Sequence, residues 1–186
     1  MPGIVLGFND ATNNFFSKLF LQINKTEPLI KEDSIPHISL MRFENIEELP
    51  TISDKLGKLS FETFNVSING ISIYKKSDIK YVLVFDPIYD SNVSSIHNII
   101  WDNLGDGIIK LKEPELYNPS TYSLHLTIDL NNPTKDNIHK VLDILMDLPR
   151  DPFPIKVNKI MVINNGNVEY QQLFDGIPLI YFNKEI

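Results

Sequence analysis

The chain of 186 residues is 42% hydrophobic and 22% charged, enough to bury one core and ordinary for a water-soluble globular protein. It has no cysteine, which excludes disulfides, thiolate metal sites and thiol nucleophiles, and its net charge of −7 argues against a stable grip on long nucleic acid, which requires many neutralised phosphates. The opening stretch MPGIVLGFND has no basic flank and too short an apolar run for a signal peptide or a membrane span. The expectation is one domain over residues 1–186, two-lobed, monomeric and cytoplasmic (or nuclear), with no membrane partner.

Residues 2–8 read as a first strand, and Asn9 or Asp10 can cap a helix that sets Phe16, Leu19, Phe20 and Ile23 on one face, with Pro28 beyond its end. PHISLMRF then alternates, with His37, Ser39, Met41 and Phe43 predicted on one side and Ile38, Leu40 and Arg42 on the other. A weaker helical pattern from Ile46 to Leu59 is interrupted by Pro50 and Gly57. From Phe61 to Asp86 the period becomes that of strands, with a phase shift at Gly70, a turn at KKSD and the run YVLVFD apolar on both faces.

Ser91 opens a helix carrying Val93, Ile96, Ile100 and Leu104, stopped by Gly105 and Gly107. YSLHLTIDL alternates again, with Leu124, Leu126, Ile128 and Leu130 on one face and Ser123, His125, Thr127 and Asp129 on the other. After Pro133 a further helix presents Ile138, Val141, Leu142 and Leu145, and the chain closes on a hairpin whose turn is Asn165-Gly166. The order describes two similar units, each supplying one histidine-bearing strand after a helix.

Each of those strands carries a hydroxyl residue two positions after its histidine, Ser39 after His37 and Thr127 after His125. Because side chains alternate with period two, each imidazole and its hydroxyl project from one face. If the two strands share a cleft, two imidazoles and two hydroxyls converge, an arrangement suited to a phosphodiester. One neutral imidazole takes a proton from the attacking oxygen, the other gives one to the leaving oxygen, and the hydroxyls donate to the non-bridging oxygens. The scheme needs no metal, and the acidic residues lack ligand spacing around either histidine.

PHISL at Pro36 to Leu40 and LHLTI at Leu124 to Ile128 resemble the paired signatures of the two-histidine phosphoesterases, which include RNA 2'-5' ligase-like proteins, cyclic nucleotide phosphodiesterases and 2'-5'-oligoadenylate phosphodiesterases. The resemblance extends to the order of elements over nearly the whole chain. It implies an α+β, bilobal fold, with two antiparallel-rich sheets, helices on the outside and a central cleft. It further implies a metal-independent phosphodiesterase without cofactor, with His37 and His125 as acid and base and Ser39 and Thr127 as phosphate-binding hydroxyls. The expected substrate is a small nucleotide or short oligonucleotide with a 2',3'-cyclic, 2'-5' or 3'-5' linkage, including defence-signalling molecules such as 2'-5' oligoadenylate or a cyclic oligonucleotide. Many members place proline before the second histidine, where this chain has Leu124. The alternative is a nucleotide-binding or sequestering module on the same scaffold, or a degenerate interaction domain.

Tyr117 and Tyr122 precede the second motif in a loop bearing Pro119 and are candidates for stacking a base. His97 and His139 lie in helical segments without a hydroxyl partner and read as surface or boundary residues. Asp129 reads as a solvent-exposed carboxylate at a strand end, and Lys75, Lys76 and Lys80 as a solvated turn.

Overall fold

The computed structural model describes residues 1–26, 28–30, 34–77, 80–87, 90–105, 107–131, 134–148, 151–174 and 178–179, with backbone alone at residues 26, 74–77, 80–81, 129 and 178–179. Strand β1 (Pro2–Phe8) is buried along its whole length, as a seven-residue apolar run flanked by sheet on both edges must be. Helix α1 (Asp10–Thr26) is capped by Asn9, whose Oδ1 accepts the Thr12 amide at 3.0 Å. At its other end the Asn24 amide pairs both ways with the backbone of Ile30, at 2.7 and 2.8 Å.

Strand β2 (Ile38–Arg42) carries the first motif. A 3₁₀ turn (Ile46–Glu48) leads into α2 (Leu49–Leu56). Pro50 does not interrupt that helix: it occupies the first turn, where a missing N–H leaves no bond unmade. Strands β3 (Phe64–Ser77) and β4 (Lys80–Pro87) form an antiparallel pair whose register slips between Ile68 and Gly70, the position at which the apolar phase changes in the sequence. The backbone of Lys75 and Lys76 remains within β3, whereas their side chains, that of Lys80 and the rest of the KKSD turn lie outside the described residues.

Helix α3 (Ser91–Leu104) starts one residue after its cap, Asp90, whose carboxylate accepts the amides of Asn92 and Val93. It stops at Gly105, where a Cβ would collide with the Trp101 carbonyl oxygen. A short helix, α4 (Pro114–Tyr117), precedes β5 (Leu126–Asp129), and Thr134 caps α5 (Lys135–Met146). On α5 Val141 and Leu145 are buried while Leu142 stays exposed, so the inward stripe is narrower than its spacing predicts. Strands β6 (Phe153–Asn164) and β7 (Asn167–Leu173) make the terminal hairpin, with Asn165 and Gly166 at φ 50 and 87, the paired left-handed conformations of a type I′ turn. β8 (Pro178–Leu179) adds to β7.

All pairings are antiparallel, in the order β1-β2-β5-β4-β3-β6-β7-β8, and β1 also pairs with β6. The two antiparallel-rich sheets expected are therefore joined into one, with β2-β1-β6-β7 forming one lobe and β5-β4-β3 the other. β3 joins to β6 over five residue pairs, and β2 joins to β5 through the single pair Ile38↔Leu126. Both residues of that pair are wholly buried. Behind them α1 seals the core with Phe16, whose ring lies 5.8 Å from Phe8, 5.3 Å from Phe15, 6.1 Å from Phe20 and 5.3 Å from Phe85. Phe16 thus ties β1 of one lobe to β4 of the other.

Truncating that ring leaves a cavity between both lobes. Phe16→Ala is expected to cost about 3–5 kcal/mol and to lower the midpoint of thermal unfolding by roughly 6–20 °C, read by calorimetry.

Candidate active site

The Ile38↔Leu126 pair decides how the two motifs meet. In antiparallel strands the numbering runs in opposite directions, so one step either way from this pair sets Ser39 opposite His125 and His37 opposite Thr127. Ile38 and Leu126 point into the core, and the four flanking side chains therefore emerge together on the other face. His37, Ser39, His125 and Thr127 all line one cleft of ≈ 850 Å³. A near two-fold relation between the motifs follows from this register.

Each imidazole is held in the same way. His37 Nδ1 lies 2.7 Å from the Ile35 carbonyl oxygen and His125 Nδ1 lies 2.6 Å from that of Ser123, in both cases two residues back. A carbonyl oxygen only accepts, so Nδ1 carries a proton and donates it. In each ring Nε2 is then the nitrogen that takes no part in this bond.

The strand alternation misplaced the rest of β2. Its register against β1 runs Val5↔Ser39 and then Ile4↔Met41, a bulge that skips Leu40. Leu40 and Met41 consequently both turn into the core, and the phase is reversed beyond them. Phe43 is buried, and Arg42, assigned by the alternation to the face opposite His37, lines the cleft beside the motif residues. The apolar dipeptide LM, where strict alternation calls for a polar second residue, is the one local trace of this in the sequence.

Asp86, which belongs to neither motif, also reaches the cleft. In the β4–β5 register Phe85 pairs with Leu126, so one further step sets Asp86 opposite His125, and both line the cleft. Ser72 Oγ donates to Asp86 Oδ2 at 2.7 Å and orients the carboxylate. Only the sheet order brings β4 next to the second motif, which no local pattern contains. The Asp129 side chain lies outside the described residues.

Tyr117 and Tyr122 line the same cleft, with Tyr117 buried. The Tyr122 hydroxyl donates to the Ser39 carbonyl oxygen at 2.8 Å, and one face of its ring stacks on His97 at 3.8 Å and 7°. Burial, with the neighbouring Tyr117 phenol, pushes the Tyr122 phenol far above its ordinary range, so it stays protonated and donating. Burial likewise raises Tyr117, against a smaller opposing effect of the Arg42 charge.

His97 is not a boundary residue: it is 1% exposed within α3, and its Nε2 has no hydrogen-bond partner among the described residues. Its place beside Ile96 on the inward arc of α3 was the available signal. His139 is exposed, as its position off the α5 stripe predicts. Among the described residues no group of three or more histidine, aspartate or glutamate side chains is arranged to hold a metal ion, and no helix is long and apolar enough to cross a membrane.

No family profile matches the chain, and no curated protein matches it by sequence. Solved structures do. E. coli LigT complexed with 3'-AMP superposes with a TM-score of 0.57 at 9% identity, covering 94% of this chain and 98% of that one. LigT in its apo form gives 0.54 at 9% identity over 96% and 93%, and LigT complexed with NADP+ gives 0.51 at 11% over 97% of each. The chain has the two-histidine phosphoesterase fold. Within this fold the cleft described above lies where the two lobes join at β2 and β5.

Burial lowers the His97 pKa from 6.5, chiefly because the charged ring is poorly solvated. Above the unfolded value His97 is neutral in both states and carries no proton-linked penalty. As pH falls below that value the unfolded chain takes up the proton first, so stability declines until the folded-state pKa is passed. His97→Phe retains a stacked ring without a titrating group. Between about pH 7.5 and about pH 5.5 the unfolding temperature of the wild type is expected to fall further than that of the variant.

Proposed function

We propose that this protein is a phosphodiesterase for a small nucleotide or short oligonucleotide with a 2',3'-cyclic, 2'-5' or 3'-5' linkage, working by a pair of histidines without a metal. The observation that carries this reading is the Ile38↔Leu126 pair, which sets two identically anchored imidazoles and two hydroxyls around one cleft. The nucleotide class is supported by E. coli LigT, which has been solved with 3'-AMP, NADP+ and ATP in structures of the same fold. A cleft of ≈ 850 Å³ falls within the range of about 300–1,000 Å³ typical of ligand sites. Defence-signalling nucleotides such as 2'-5' oligoadenylate or a cyclic oligonucleotide belong to this class.

In the mechanism the scissile phosphate lies between His37 and His125. With Nδ1 donated to a carbonyl, a neutral imidazole offers its Nε2 lone pair to the hydroxyl of the attacking group and removes its proton as the bond to phosphorus forms. The opposite imidazolium delivers its Nε2 proton to the leaving oxygen as that bond breaks. The pair finishes with its protonation exchanged, and proton exchange with solvent or the reverse half-reaction restores it. Because the motifs are related by a near two-fold, either histidine can begin as base, depending on which ester oxygen leaves. Ser39 and Thr127 donate to the non-bridging oxygens, where negative charge is concentrated in the transition state.

Turnover of a panel of cyclic, 2'-5' and 3'-5' linked nucleotides tests the proposal. His37→Ala and His125→Ala are each expected to lower kcat by about 10²–10⁴ on the active substrate, and the double variant by much less than the product, since the two act as a unit. Thr127→Ala removes one donor and is expected to cost about 10²-fold or less. Activity should survive excess chelator and follow a bell-shaped pH profile that loses one limb in each histidine variant. A wild type that turns over nothing on the panel, or that requires a divalent ion, defeats the proposal.

A further inference from the structure

Arg42 is the only lysine or arginine among the described residues lining the cleft, in a chain of net charge −7. No ion pair holds it among the described residues. The bulge that skips Leu40 turns it to the side of His37 and Ser39. Beyond the bulge β2 is tied to the segment leading into α4, with Lys112 N–H donating to the Arg42 carbonyl oxygen at 2.9 Å and Phe43 bridging to Leu111. Two residues of α4, Leu116 and Tyr117, thereby stand at the same end of the cleft, and Leu116 is left 55% exposed. That end combines a cation with no ion pair among the described residues and an apolar side chain open to solvent, the two features that a phosphate and a base require of a wall.

We propose that Arg42 and Leu116 form a subsite for a second nucleotide unit, with Arg42 holding the phosphate next to the scissile one and Leu116 packing against the base. This rests on the phosphodiester reading above and narrows its substrate class to an oligonucleotide carrying at least two phosphates, in preference to an isolated cyclic mononucleotide. Counting the bulged residue as adding little, Arg42 lies about 7 Å along β2 from Ser39, a span comparable to one phosphodiester repeat. The guanidinium fork suits a phosphate that must be gripped but not attacked, because it donates two parallel hydrogen bonds and does not titrate. Glu113, exposed on the adjoining wall, and Asp86, at the His125 end, repel further negative charge and limit the ligand to a short one.

The test is a binding measurement in the His125→Ala background, where the expected loss of kcat slows turnover enough for a titration to be completed. The probes are the 5'-phosphorylated diadenylate pApA, with two phosphates, and AMP, with one. Arg42→Gln is expected to weaken pApA by about tenfold or more while changing AMP by less than about twofold, the unchanged AMP affinity showing an intact fold. Leu116→Ser should likewise weaken pApA selectively. Parallel loss of both ligands, an unaltered pApA affinity, or failure of the parent to bind either overturns the subsite. A protein that binds pApA through Arg42 yet turns over nothing keeps the subsite and sinks the phosphodiesterase reading. Turnover of linked nucleotides with no Arg42 effect does the reverse.

Discussion

One cross-strand pair, Ile38↔Leu126, holds the two motifs in their relation, and the chemistry proposed for the cleft depends on it. Taken alone it is a weak junction. Its alignment is secured by stronger neighbours: β2 is registered by four residue pairs to β1, β5 by four to β4, and the two lobes are clamped by β3–β6 and by the Phe16 cluster behind the sheet. A slip of one residue would drive the imidazoles toward the apolar core and turn Ile38 or Leu126 into the cleft. The burial of both aliphatic side chains therefore determines the exposure of both histidines.

The near two-fold relation is a property of the backbone, and the side chains around it break the symmetry. On one side the Ser39 backbone is propped by the Tyr122 hydroxyl, which is itself backed by the buried ring of His97. On the other, Asp86 occupies the position across from His125 and is oriented by Ser72. The bulge in β2 adds Arg42 to the first motif's side, whereas β5 pairs with β4 without a register shift over its four described pairs. In the proposed mechanism, asymmetric walls around a symmetric pair of imidazoles allow the two ester oxygens of one phosphate to be treated differently. Tyr122 has its hydroxyl committed to β2 and one ring face to His97, and it lines the cleft.

The net charge of −7 and the single cationic side chain among the described lining residues fit together. A long polyanion gains affinity by releasing counterions from many phosphates at once, and a net charge of −7 works against that. One arginine inside a cleft discriminates by position. In the proposed subsite it adds a directed contact to the phosphate beside the one assigned to the motif hydroxyls, and the net negative charge of the chain discourages further ones.

The motifs, their strands and the face each side chain takes near the histidines were legible in the sequence, because period-two alternation and the apolar partner face are local consequences of backbone geometry. The helix at Asn9, the phase shift at Gly70 and the Asn165-Gly166 hairpin were legible for the same reason: capping, bulging and left-handed turns each demand particular residues within a few positions. Arg42, Asp86 and the burial of His97 were not. The first depends on where β1 forces a bulge in β2, the second on β4 becoming the neighbour of β5, and the third on how α3 packs under a loop whose Tyr122 lies 25 residues further along. The chain's order of residues decided which groups share a face, whereas the closing of the sheet between Ile38 and Leu126 decided which faces share a cleft, since pairing between distant strands is set by the whole core and not by any short stretch of it.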